Sequence, residues 1–155
     1  MTHAATAVRF EPLETAACEA LLHAQPVGRL AFGFRDRIDI EPIHFVYHDA
    51  HIYGRTQPGA KVDVLAHHPW VAFEVDAVDA LFDWRSVVVH GRITFPDPNG
   101  APAEQAAYAD GVRHFQALVP AAFTADDPTP DRTLVFVIHV HVMTGRRAVP
   151  AGPAA

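Results

Sequence analysis

The sequence predicts a mainly β fold, an antiparallel barrel of about six or seven strands with peripheral helices. Three observations carry this reading. Between Val27 and Thr144 the chain passes through short segments whose apolar residues recur at every second position. Gly, Pro and Asp punctuate these segments at short intervals, as hairpin connections do. Helical spacing is confined to three stretches, one ahead of the strands and two between them.

The first ten residues are read as carrying no periodic pattern, and residues 1–11 are expected to form an N-terminal arm. From Pro12 to Gln25, Leu13, Ala17, Ala20, Leu21 and Ala24 share one helical face, with Pro at the start and Pro26 just beyond. Cys18 falls off that stripe and reads as filler. Val27 to Phe34 is a short apolar strand turned by Arg35-Asp36-Arg37. Ile38 to Tyr47 alternates, and its Pro42 requires a sheet edge or a bulge. His48-Asp49-Ala50 then turns the chain into His51 to Thr56, a hairpin.

Gln57-Pro58-Gly59 is a tight turn into a short helix closed by Pro69, with Thr56 as a candidate cap. Trp70 to Asp76 places Val71, Phe73 and Val75 on one face, and Asp76 to Asp83 reads as a loop. Ser86 to Phe95 is the clearest strand: Val87, Val89, Gly91, Ile93 and Phe95 oppose Ser86, Val88, His90, Arg92 and Thr94. A helix beginning near Pro102 aligns Tyr108, Val112, Phe115 and Val119, and Pro120 to Arg132 is a long loop. Thr133 to Thr144 is the last strand, and 150–155 is expected to be a disordered tail. The organisation is one domain over 12–149, without internal repeats.

Composition narrows the function. At 155 residues and half hydrophobic, the chain can bury a real core. A net charge of −6 argues against nucleic acid and anionic membrane surfaces as partners. The single Cys18 excludes an internal disulfide and suits a reducing cytoplasm. There is no signal-peptide pattern and no apolar run of the roughly 18 residues a membrane helix needs. A cytoplasmic protein is expected.

Eleven histidines invite a metal site, but no Cys partner and no His-Glu-x-x-His spacing accompanies them, so none is expected. His139 and His141, His44 and His48, and the adjacent His67 and His68 read as surface or cleft residues. Ser86 is the only serine and lacks a nucleophile elbow. There is neither a Gly-x-Gly-x-x-Gly nor a Walker loop.

Lys61 stands out as the only lysine, against eleven arginines. At the start of a helix a lysine meets the positive end of the dipole, which is unfavourable unless an anion sits between them. The alternative is an exposed lysine with no task. Arg55 and Thr56, at the preceding strand end, offer a planar cation and a hydroxyl suited to phosphate oxygens. Trp84, Arg85 and Ser86 add an aromatic surface and a polar contact. The combination suits a phosphorylated aromatic cofactor.

Four stretches, in this order, resemble the FMN-binding split-barrel superfamily of pyridoxamine 5'-phosphate oxidase and its relatives. They are Val27-Gly28-Arg29-Leu30-Ala31, Glu41 to Tyr47, Gly59 to Leu65 with His68-Pro69, and Trp84 to Arg92. The closing Met143-Thr144-Gly145-Arg146 is also similar. The resemblance implies a homodimeric split barrel with FMN at the subunit interface. It assigns the phosphate to Lys61, Arg55 and Thr56. The first member of the family's cationic pair is commonly Arg; here it is Ala60, so that contact is absent or comes from Arg55. The flavin ring would lie along Pro42, Ile43, His44 and Phe45, with Trp84, Ser86 and Val87 on a second wall.

The Trp-x-Ser-Val signature is most similar to the nitroimidazole-resistance-type branch. Some members carry His where Arg55 stands, so nitroimidazole reduction is not implied. Pyridoxamine phosphate oxidase itself is not implied either, since only Arg146 and Arg147 approach its C-terminal substrate motif. The expected activity is a flavin-dependent oxidoreductase of a small molecule with NAD(P)H as donor. No catalytic residue is assigned, although His44, His90 or Tyr53 could supply a proton. Two alternatives stay open: a haem-binding or haem-degrading relative on the same barrel, and a flavin or deazaflavin carrier without turnover.

Overall fold

The structure, a computed structural model, describes residues 7–151, and among these the chain forms eight strands and three helices. In chain order these are β1 (Val8–Pro12), α1 (Thr15–Ala24), β2 (Val27–Phe34), β3 (Arg37–His44), β4 (Val46–His48) and β5 (His51–Thr56). There follow α2 (Ala60–His67), β6 (Trp70–Ala80), β7 (Asp83–Thr94), α3 (Pro102–Gln116) and β8 (Leu134–Pro150). One antiparallel sheet runs β3-β2-β6-β7-β8-β5-β4, with β1 added along β8.

The period-2 pattern gives the sheet one apolar face, and curling buries it. Leu30, Phe73, Val75, Val87, Val89, Ile52, Phe136 and Ile138 point inward and are essentially solvent-free. Leu21 and Leu22 of α1 and Leu65 of α2 plug the same core. Phe45 packs edge-on against Phe73 with ring centroids 4.8 Å apart, an arrangement worth about 0.5–1.5 kcal/mol beyond its buried area. The two ends of the sheet, β3 and β4, are joined through Phe45, yet β3 does not pair with β5. An open seam remains between them. Being an edge strand, β3 accommodates Pro42 opposite Arg29 without losing an inner ladder bond.

Local chemistry sets the corners. Asp49 and Ala50 take φ of 46° and 57°, the paired left-handed conformation of a two-residue hairpin turn, and so set the β4–β5 register. Gly91 sits where β7 shifts register against β8, and a Cβ there would meet the His139 carbonyl.

Several expectations are corrected. Part of the arm expected over 1–11 is a strand: β1 pairs Val8 with Pro150 and Pro12 with Arg146, held by the Glu11–Arg147 ion pair at 2.7 Å. Pro12 therefore ends a strand, and the helix begins at Thr15. The same pairing orders Pro150; residues 152–155 of the expected tail lie outside the described residues. The loop expected over Asp76 to Asp83 is mostly hairpin, because its acidic residues lie on strand positions open to solvent, with Ala80 opposite Asp83. The strand expected over Ile38 to Tyr47 breaks at Phe45, which turns into the core. Cys18 is a core residue, 2% exposed.

Candidate functional site

The seam between β3 and β5 opens into a cleft of ≈360 Å³. Glu41, Pro42 and Ile43 form one wall; Thr56, Gln57, Pro58, Gly59, Ala60 and Lys61 form the other. The last strand residue of β5 and the first turn of α2 thus face β3. Val62 and Asp63 turn their N–H groups back to the Gly59 carbonyl at 3.0 and 3.4 Å, which leaves the Ala60 and Lys61 N–H groups without a backbone partner among the described residues. Gly59 borders open space, since a Cβ there would meet nothing within 4 Å. Lys61 Nζ donates to Glu41 Oε2 at 2.6 Å across the cleft. On the far side of this pair lies a second cavity of ≈410 Å³, lined by Phe32, Phe34, Arg35, Arg37 and Asp39.

The donors fit a phosphate. An ammonium, a hydroxyl from Thr56 and free N–H groups at a helix start are the groups that bind phosphate oxygens. Glu41 opposes that fit, and an incoming anion would have to draw Lys61 away from it. Arg132, from the end of the α3–β8 connection, also lines the cleft. Sequence reasoning missed it because Arg132 lies 71 positions from Lys61, with no periodic pattern between to bring them together.

Arg55 is elsewhere. Its side chain is 3% exposed and binds Asp127 in a bidentate pair, Nη2 to Oδ1 at 2.8 Å, with Nη2 also donating to Thr129 Oγ1 at 2.8 Å. The guanidinium is flanked by the rings of Phe115 and Phe123, 5.2 and 5.0 Å from its carbon. The cause is strand geometry: adjacent residues point to opposite faces, so Arg55 and Thr56 do not present to the same point. Arg55 shares the face of Tyr53, which α3 and the loop cover. Asp127 also accepts the Phe123 and Thr129 N–H groups at 2.7 and 2.9 Å. The Arg55 guanidinium holds the Asp127 carboxyl far below the usual carboxylate range. The loop expected over Pro120 to Arg132 is therefore tied down over β5, with Phe123 at a φ of 62°.

The remaining expected cofactor residues divide. His44 ends β3, exposed on the outer sheet face. Phe45 is buried and donates its N–H to the Pro26 carbonyl at 3.2 Å, away from the cleft. Val87 points into the core. Ser86 lies on the outer face and donates to Glu74 Oε1 at 3.0 Å. Glu74 and Asp76 also approach Arg29 Nη1, at 3.6 and 3.0 Å. Burial in this cluster raises the Glu74 carboxyl, with the Ser86 hydrogen bond opposing. Trp84 packs against Phe10, ring centroids 5.9 Å apart. Within one chain, β2 and β6 separate these β7 residues from β3.

Among the described residues no group of three or more His, Cys, Asp or Glu is placed to hold a metal ion. Instead His114 of α3 stacks on both His48 and Tyr53, each with ring centroids 4.5 Å apart, and His51 meets His139 at 5.0 Å. Burial pushes His114 and His139 below the usual imidazole value, and neighbouring histidines add to this. Burial pushes the Tyr53 phenol up. Tyr53 thus packs under α3, and His90 sits exposed on β7.

No helix among the described residues is long and apolar enough to cross a membrane. The family model described as pyridoxamine 5'-phosphate oxidase matches residues 14–147. An uncharacterized protein of Rhizobium meliloti is 31% identical over 101 residues, 65% of this chain and 64% of that relative. The chain thus spans just under two thirds of the curated relative's length. A FAD-binding protein from Mesorhizobium loti superposes with a TM-score of 0.69 at 26% identity, covering 90% of this chain and 96% of that one. The FAD and heme binding protein of Mycobacterium smegmatis superposes at 0.63 with 15% identity, covering 92% and 75%, a likeness of fold.

Proposed function

The chain belongs to the pyridoxamine 5'-phosphate oxidase family, and from that premise we propose that it binds FMN in the seam cleft as a flavin-dependent oxidoreductase of a small molecule. The observation that carries this is the start of α2, where Thr56, Ala60 and Lys61 line one cleft and the Ala60 and Lys61 N–H groups take no backbone partner among the described residues. Lys61 would exchange Glu41 for the cofactor's phosphate, and Thr56 would donate its hydroxyl. Pro42 and Ile43 would border the ring. Bound there, the flavin would supply two-electron transfer between a reduced nicotinamide and the acceptor. The protein's part is to orient and to neutralise charge, and no side chain is assigned a catalytic role.

FAD is the alternative cofactor, favoured by the names of the two similar solved structures. The same cradle serves either, because both carry phosphate on the ribityl chain. The Mycobacterium smegmatis protein binds haem as well as FAD, so haem remains the second candidate ligand. Nothing in the cleft implies pyridoxamine phosphate as substrate: Arg147, one of the two nearest C-terminal arginines, is engaged with Glu11.

The partner we propose is a second copy of the chain. Ile38, Ile40, Trp70 and Val142 stand exposed on the outer sheet face around the Arg29–Glu74–Ser86 cluster. Pairing through this face would cover them and bring the partner's β7 toward the seam. A cytoplasmic setting suits the buried free thiol of Cys18.

The absorption spectrum of the purified protein, as isolated and after adding FMN, FAD or haemin, tests this reading. Flavin bands near ~450 nm, bleached anaerobically by NADH or NADPH, are the expected result. A Soret band without flavin binding would favour haem, and bound flavin that no nicotinamide reduces would favour a carrier.

A further inference from the structure

Resting on the flavin reading above, we infer that Arg132 is the second phosphate-binding cation of the cleft, and that the buried Arg55–Asp127 pair is the device that positions it. Among the described residues three charged residues line the cleft, Glu41, Lys61 and Arg132, and Arg132 also borders a neighbouring hollow of ≈330 Å³ beside Phe123 and Asp127. Lys61 and Glu41 already neutralise one another. Without Arg132 the cleft would offer no net positive charge to a phosphate monoester carrying about −1.5 to −2. Among the described residues Arg132 has no carboxylate within salt-bridge distance and no side-chain hydrogen bond, and it is half-buried at the cleft. A guanidinium so placed, with its fork unused, matches phosphate geometry.

A chain of hydrogen bonds explains why it is there. Arg55 holds Asp127 and Thr129, Asp127 holds the Phe123 and Thr129 N–H groups, and the Thr129 carbonyl accepts the Arg132 N–H at 3.1 Å. Arg55 lies beside Thr56, itself a cleft residue, so the loop is anchored one residue from the site it serves. Ala60 lines the same cleft and brings no charge. The sequence places a cation at Arg55; the fold spends that cation on the loop and presents another.

FMN and riboflavin titrations of four proteins test this: wild type, Arg132→Met, Lys61→Ala and Asp127→Asn. Riboflavin lacks the phosphate. Arg132→Met is expected to weaken FMN roughly tenfold to a hundredfold, with riboflavin affinity and thermal midpoint unchanged. Asp127→Asn keeps the volume but leaves the buried Arg55 charge unbalanced, so it is expected to lower the thermal midpoint and, in the folded protein, to weaken FMN by a smaller factor while sparing riboflavin. Unchanged FMN affinity in Arg132→Met, with affinity lost in Lys61→Ala, would overturn the inference and leave the flavin reading standing. Equal losses for FMN and riboflavin would overturn it as a packing effect. Wild-type FMN affinity in Asp127→Asn would overturn the positioning half. Unchanged affinity in both Arg132→Met and Lys61→Ala would remove the flavin reading itself.

Discussion

Arg55 and Asp127 meet as a bidentate pair sealed from solvent, with side chains 3% and 4% exposed, between the rings of Phe115 and Phe123. The pair joins β5 to the α3–β8 connection and ties that long segment to the sheet. Removing one member leaves the other charge buried and unpaired, which is among the most destabilising changes available to a fold. Arg55→Met is expected to lower the thermal midpoint by roughly 10 °C and to open the 120–132 segment to protease. Calorimetry with limited proteolysis checks this; an unchanged midpoint would mean the pair contributes nothing net.

A second relationship concerns the barrel's closing strand. A Cβ on Gly145 would lie 2.5 Å from Cys18 Sγ and 2.8 Å from Leu13 Cβ, so this residue is Gly because α1 packs directly on β8. Gly145→Ala should destabilise by about 1–3 kcal/mol through overpacking, and Cys18→Gly in that background should recover part of the loss. Denaturant unfolding of the single and double variants measures the coupling. Additive effects would show that the two residues do not meet.

What the sequence revealed and what it concealed share a physical cause. The Ser86–Phe95 alternation and the Asp49-Ala50 turn were legible because period-2 burial and left-handed φ leave residue-level marks. The β6–β7 hairpin was concealed by Asp76, Asp79 and Asp83, which read as a loop although their strand positions are open to water. Strand β1 was concealed because its Val8-Arg9-Phe10-Glu11 alternation is only four residues long and its partner, β8, lies more than 130 residues away in the chain. For the site, Lys61 and Thr56 were placed beside Pro42 and Ile43 by local order and resemblance. Arg55 is next to Thr56 in sequence, but strand alternation sends neighbours to opposite faces and carries it away from the cleft. Arg132 and Asp127 depend on a long connection folding back, which no local pattern encodes.

Acid should destabilise the protein in two stages. His114 and His139 have folded pKa values held below 6.5 by burial first, then by His48 and Arg113 around His114 and by His51, His141 and Arg92 around His139. Above 6.5 both are neutral in either state, and their contribution is fully present. As pH falls below 6.5 the unfolded chain takes up protons that the folded one refuses, and stability declines. Asp127, depressed by Arg55 first, adds stability present above 3.8 and lost as pH falls further toward its folded value. Urea midpoints from pH 8 to about 3 should show both declines. His114→Gln should flatten the upper one, and an unaltered slope in that variant would contradict the assignment.

The proposed dimer makes its own prediction. Ile40 is 67% exposed on the outer sheet face. Ile40→Glu would desolvate a charge at any interface formed there, and is expected to convert a dimer to monomer with loss of flavin. Light scattering on the eluted protein decides the mass. A wild-type monomer that retains flavin would contradict pairing through this face.

If Lys61 and the start of α2 hold the phosphate of a flavin, a fluorescence titration of FMN separates the wild type from Lys61→Ala. The wild type is expected to quench stoichiometrically and Lys61→Ala to bind at least roughly tenfold more weakly, with both proteins equally folded. FMN binding of equal strength to the two proteins, or none to the wild type, would contradict that assignment.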